Sequence, residues 1–113
     1  MTGFVYMMSD KPRGVIYIGV TSDLKDRAWE HRNQTTKGFT SKYNLKNLVW
    51  YEWHPNIVLA IRREKSLKRY RRQWKENLIE EFNPSWLDLF ERIDENDNAY
   101  RPHPNTRAWD DYN

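Results

Sequence analysis

Two short apolar runs open the chain, Gly3-Phe4-Val5-Tyr6-Met7-Met8 and Gly14-Val15-Ile16-Tyr17-Ile18-Gly19. Both are rich in β-branched and aromatic residues and have strand length. The intervening Ser9-Asp10-Lys11-Pro12-Arg13 is turn chemistry, so the pair predicts a hairpin with a loop of about six residues. A symmetric loop sets Tyr6 directly opposite Tyr17, with both rings on one face of the sheet.

The period then changes. Thr21-Ser22-Asp23 supplies N-cap candidates, and Leu24, Arg27, Ala28 and His31 recur at helical spacing, predicting a helix to about Gln34. A polar loop with Lys37, Phe39, Lys42 and Tyr43 leads to a third strand over 47–53, closed by His54-Pro55. A second helix is expected over about 56–69, its stripe formed by Ile57, Ala60, Ile61, Glu64 and Leu67 or Lys68. A third covers about 71–82, with Trp74, Leu78 and Phe82 inward, and stops at Asn83 because Pro84 disfavours helical geometry before it. Charged Arg27 and Glu64 on otherwise apolar stripes are misfits. Burying such groups is costly unless a ligand or a hydrogen-bond network receives them.

This order predicts an α+β fold, a three-stranded antiparallel sheet packed with three helices in the sequence β-β-α-β-α-α. The 113 residues suffice for one domain, placed at 1–92, followed by an acidic, loosely docked tail at 93–113.

Charge sharpens the picture. Residues 1–92 hold 17 Lys/Arg against 11 Asp/Glu, whereas 93–113 hold two against five. The stretch Arg62 to Lys75 carries eight cations and one acid, Glu64, a balance suited to a polyanion. Within it Lys75 reads as an ordinary surface cation. Absence of cysteine excludes disulfides, thiolate catalysis and zinc-thiolate sites. No apolar run nears the roughly 18 residues of a membrane span and no signal pattern opens the chain, so a cytoplasmic location without membrane contact is expected.

Tyr6, the triplet Tyr17-Ile18-Gly19, helical Arg27 and His31, Glu64 on a later helix and Asn83 before Pro84 occur in one order. In that order the chain resembles the GIY-YIG nuclease family, in particular its small single-domain bacterial members, over roughly Phe4 to Leu89. Tyr6 matches the last tyrosine of the first family triplet, although Phe4-Val5 stand in place of Gly-Ile and the glycine, Gly3, comes one position earlier. The second triplet is unchanged.

The resemblance implies a phosphodiester-cleaving site in which Tyr6, Tyr17, Arg27, His31 and Asn83 are catalytic. Glu64 would hold a divalent metal, Mg²⁺ or Mn²⁺. Arg27 would bind the scissile phosphate, and Tyr6, Tyr17 or His31 would serve as base; the sequence does not choose among the three. Lys37, Lys42, Tyr43, Arg63 and Lys68 are nucleic-acid-binding candidates, through phosphate pairing and base stacking. The expected function is a metal-dependent DNA endonuclease with little sequence preference, since no helix-turn-helix or zinc finger supplies readout. The alternatives are a nucleic-acid-binding module without cleavage and a nuclease acting on RNA.

Overall fold

The computed structural model describes residues 1–34 and 38–93, with the backbone alone for Phe39 and Ser41. Lys37 and the tail beyond Ile93 lie outside the described residues. Strands β1 (Gly3–Ser9), β2 (Ile16–Thr21) and β3 (Asn47–His54) form an antiparallel sheet in the order β2-β1-β3. Helix α1 (Leu24–Arg32) follows the hairpin, α2 (Phe39–Lys42) is a single turn before β3, and α3 (Ile57–Lys68) and α4 (Arg72–Phe82) complete the β-β-α-β-α-α order.

Helices cover both faces of the central strand, which explains why β1 lacks polar alternation. Phe4, Tyr6 and Met8 pack with Leu24, Ala28, Leu45 and Leu48, while Val5 and Met7 pack with Ala60, Leu67 and Ile79 on the other face. At Gly3 an added Cβ would collide with Ala60 and Ile57, so this glycine lets α3 approach the strand.

The hairpin register differs from expectation. Tyr6 pairs with Gly19, and Tyr17 with Met8, a slip of two residues from a direct Tyr6–Tyr17 pairing. The cause lies in the turn. The Asp10 carboxylate accepts the Val15 N–H at 2.8 Å, Gly14 N–H donates to Lys11 O at 2.9 Å, and Arg13 takes a left-handed φ of 57°. Gly14 and Val15 are thereby held in the loop, and β2 begins at Ile16. Because side chains alternate with period two, a two-residue slip leaves both tyrosines on the same face. They become diagonal neighbours.

Caps define the helices. Asp23 accepts the Asp26 N–H at the start of α1, and Asn56 accepts the Leu59 N–H at the start of α3. The buried stripe of α3 is Ala60, Arg63 and Leu67, with Ile61 exposed, so the helix is turned from the predicted stripe. Glu52 on β3 explains the rotation. Buried and flanked by His54 at 2.8 Å, it draws the Arg63 Nε inward to 3.1 Å, and the guanidinium also donates to the Tyr70 hydroxyl at 3.3 Å. On α4 the buried residue is Ile79; Trp74 faces outward and packs edge-on against Tyr70.

Candidate active site

The face of the sheet beneath α1 gathers three rings. Tyr6 and Tyr17 centroids lie 6.3 Å apart, and His31 is 5.6 Å from Tyr6 and 5.8 Å from Tyr17. The Tyr6 hydroxyl is 3.0 Å from His31 Nε2, and His31 Nδ1 is 3.2 Å from the Thr40 hydroxyl on α2. Tyr6, His31 and Thr40 are all buried, while Tyr17 is partly open to solvent. Gly19 makes this possible: a Cβ there would occupy the space of the Tyr6 phenol. The glycine of the second triplet is thus a cradle for the tyrosine of the first strand.

Burial sets the protonation of this cluster. It raises the Tyr6 phenol far above the ordinary tyrosine range, with neighbouring Tyr17 adding to the effect and the Arg27 charge opposing it. Burial also lowers His31 below its ordinary 6.5, helped by Arg27 and opposed by Glu30. Near neutral pH the pair is a protonated phenol and a neutral imidazole. Both rings are satisfied when Tyr6 O–H donates to Nε2 and Nδ1–H donates to Thr40 Oγ1.

The predicted charged residues arrange themselves differently. Arg27 does not lie on the buried stripe, which consists of Leu24, Ala28 and His31. Its side chain is 42% exposed and its Nε lies 3.4 Å from Glu30, leaving the guanidinium at the rim within electrostatic reach of Tyr6 and His31. No buried misfit therefore exists at this position; Arg27 is a half-exposed rim cation beside Glu30. Glu64 is mostly covered, its carboxylate 3.2 Å from Lys68 Nζ, and its charge also acts on Tyr6.

Asn83, at the end of α4, is buried and its carboxamide is fully bonded. Its carboxamide donates to Val49 O at 3.1 Å and Leu87 O at 2.8 Å and accepts the Leu87 N–H at 3.1 Å. The geometry gives it a bracing role, tying the end of α4 to β3 and to the turn that follows.

Among the nucleic-acid-binding candidates, Arg63 does not stand at the surface. It is buried and bonded to Glu52 and Tyr70, because an inward carboxylate needed a cation. Lys68 is exposed beside Glu64. Lys42 and Tyr43 are exposed at the end of α2, with Lys42 Nζ 5.5 Å from the Tyr43 ring. The same short turn carries Thr40, so the loop is tethered to the site through His31. Sequence reasoning missed Thr40. A threonine within a polar loop carries no signal until a histidine from another helix is placed against it.

The resemblance to GIY-YIG nucleases implies a divalent cation. Among the described residues no group of three or more His, Cys, Asp or Glu side chains comes together to hold a metal. Glu64 is a single carboxylate whose partner is an exchangeable ammonium. One carboxylate fits a hard ion whose shell is completed by water and substrate phosphate. It does not fit a fully protein-ligated ion.

The GIY-YIG catalytic domain family matches residues 2–77, a span that includes Tyr6, Tyr17, Arg27, His31 and Glu64 and ends before Asn83. UPF0213 proteins from two strains of Staphylococcus epidermidis are each 31% identical over 78 residues, covering 69% of this chain and 94% of the relative. No solved structure matches the chain. The chain belongs to the GIY-YIG catalytic domain family.

Proposed function

We propose that this protein is a metal-dependent endonuclease that hydrolyses phosphodiester bonds of DNA with little sequence preference. The observation that carries the reading is the buried Tyr6–His31 contact at 3.0 Å beside partly open Tyr17, with the charges of Arg27 and Glu64 both acting on Tyr6. Phosphodiester hydrolysis needs an activated water, neutralised phosphoryl oxygens and a stabilised leaving oxygen.

In this reading neutral His31 is the proton sink. The Tyr6 hydroxyl already lies against Nε2, so it can pass its proton there while accepting one from the attacking water. A protonated, buried phenol is a poor base alone but an adequate relay. Tyr17, at the open side, orients the water or the phosphate. Arg27 meets the non-bridging oxygens at the rim, and Asn83 holds α4 in place rather than touching the reacting atoms. Glu64 would hold Mg²⁺ or Mn²⁺, which would supply charge stabilisation to the phosphoryl and leaving oxygens. Lys42 and Tyr43, on the turn tethered by Thr40, suit a strand leaving the site.

Digestion of single-stranded, duplex and flap oligonucleotides of DNA and RNA, with Mg²⁺ or Mn²⁺ and with EDTA, tests the proposal. Cleavage of DNA that needs the cation and is lost in Glu64→Ala supports it. Binding without cleavage under every condition would assign a nucleic-acid-binding module instead.

A further inference from the structure

An open groove of about 300 Å³ lies beside Tyr17, lined by Ile16, Tyr17, Ile18, Lys68 and Lys75. It follows β2, one of the sheet's two edge strands, so one wall is apolar and the lysines come from two helices. Lys68 ends α3 and Lys75 lies in the first turn of α4, and the short 69–71 linker brings both to the strand. Tyr17 belongs to groove and ring cluster alike.

Lys75 is unlike the surface cations around it. Arg62, Lys65 and Arg69, which also lack a carboxylate partner among the described residues, stand exposed. Lys75 is half-buried, and no carboxylate of the described residues pairs with it. Lys68 has Glu64 as counter-ion, whereas neighbouring Glu76 is taken by Arg72 at 2.8 Å. An ammonium that lines a groove and has no carboxylate partner among the described residues is available to a bound anion.

We infer that Lys75 and Lys68 bind a non-scissile backbone phosphate, with the adjoining sugar or base lying against Tyr17 and the apolar wall of β2. The inference rests on the nucleic-acid reading of the site and extends it: the strand's path runs from Arg27 past Tyr17 along the sheet edge. It reverses the expectation that Lys75 is an ordinary surface cation. Lysines along an edge strand also serve to block strand-to-strand association, so the test must separate the two roles.

Binding of short labelled DNA and RNA oligonucleotides is measured across a salt series in EDTA, so that affinity is read without cleavage. Lys75→Ala should weaken binding several-fold on both nucleic acids and flatten the slope of log affinity against log salt by about 0.7–0.9, the value of one lost phosphate contact. Lys75→Arg should retain binding, and Lys65→Ala and Arg62→Ala should change it far less. Unchanged affinity and slope in Lys75→Ala would overturn the inference, as would failure of the wild-type protein to bind either nucleic acid. Unchanged binding combined with new self-association of the variant would assign the lysines to guarding the sheet edge. Wild-type binding that depends on Lys75 but is never followed by cleavage keeps the groove and removes only the nuclease reading.

Discussion

Tyr6 lies across Gly19 on the neighbouring strand, its phenol filling the space that any β-carbon at Gly19 would occupy. The obstruction would be aromatic ring and hydroxyl in a buried position, with His31 beyond it, so the tyrosine has little room to yield. Gly19→Ala should therefore destabilise the fold by about 1–3 kcal/mol, the usual cost of overpacking. It should also depress cleavage beyond what the unfolded fraction explains, because the hydroxyl must leave His31. Denaturant unfolding paired with cleavage rates at a temperature where the variant is folded checks both effects. A stable Gly19→Ala protein with full activity would show that the cradle is dispensable.

Glu64→Ala and Arg27→Ala should each abolish most cleavage while leaving a folded protein. Arg27 stands at the rim, so its removal should change stability by less than about 1 kcal/mol, as for other exposed pairs. Loss of the guanidinium should raise the barrier by roughly 2.7–4 kcal/mol, the cost of one transition-state donor. For Glu64→Ala, metal-dependent cleavage should vanish even at high Mg²⁺. Cleavage rates at saturating cation with circular dichroism as the folding check decide the matter, and wild-type speed in Glu64→Ala would place the metal elsewhere.

The pH dependence follows from His31. Its folded value lies below 6.5, so the neutral, proton-accepting form persists through neutrality and the acid limb of the rate should fall below pH 6.5. Between the folded value and 6.5 the unfolded chain binds more protons than the folded chain, so stability declines as pH is lowered through that window. Tyr6 acts at the other end. Its folded value is raised, so its contribution is complete below the ordinary 10.0 and is lost as pH climbs above it. A His31→Gln variant that keeps the wild-type acid limb would remove the histidine from the proton path.

Thr40→Val keeps the side-chain shape but leaves the buried Nδ1–H without its acceptor. A cost of about 1–3 kcal/mol in stability is expected. Freed of that bond, His31 no longer has its tautomer fixed, and the pH profile of cleavage should shift, a readout that a purely structural threonine would not move. Thr40→Ser should restore the wild-type profile.

Arg63 separates interior from surface. Although it sits in the basic stretch, Arg63→Ala should act on stability, leaving Glu52 without its guanidinium at a cost of about 3 kcal/mol or more. At a temperature where the variant is folded, affinity for nucleic acid should match wild type. Weakened binding by a fully stable Arg63→Ala would show that the residue faces the ligand after all.

The three strands, the three longer helices and their order were legible locally, as was the Asp23 cap; the single turn α2 was read as part of a loop, and the Asn56 cap was not singled out. Runs of β-branched and aromatic residues and helical spacing act through near neighbours in the chain. The pairing of family motifs likewise placed Tyr6, Tyr17 and His31 in one cluster without coordinates. The hairpin register was set inside the turn, by the Asp10 carboxylate accepting the Val15 N–H, a local contact that residue type alone did not announce. Two matters were decided by tertiary structure. The facing of α3 depended on Glu52, distant in sequence, drawing Arg63 inward, so a residue that spacing and charge assigned to nucleic acid became part of the core. Thr40 and Lys75 gained their places only when separate elements converged on His31 and on the edge of β2. Local spacing fixes which face of an element can be buried. The partners that select among nearly equivalent faces, and the counter-charges that decide which cations remain available to a ligand, come from elsewhere in the chain.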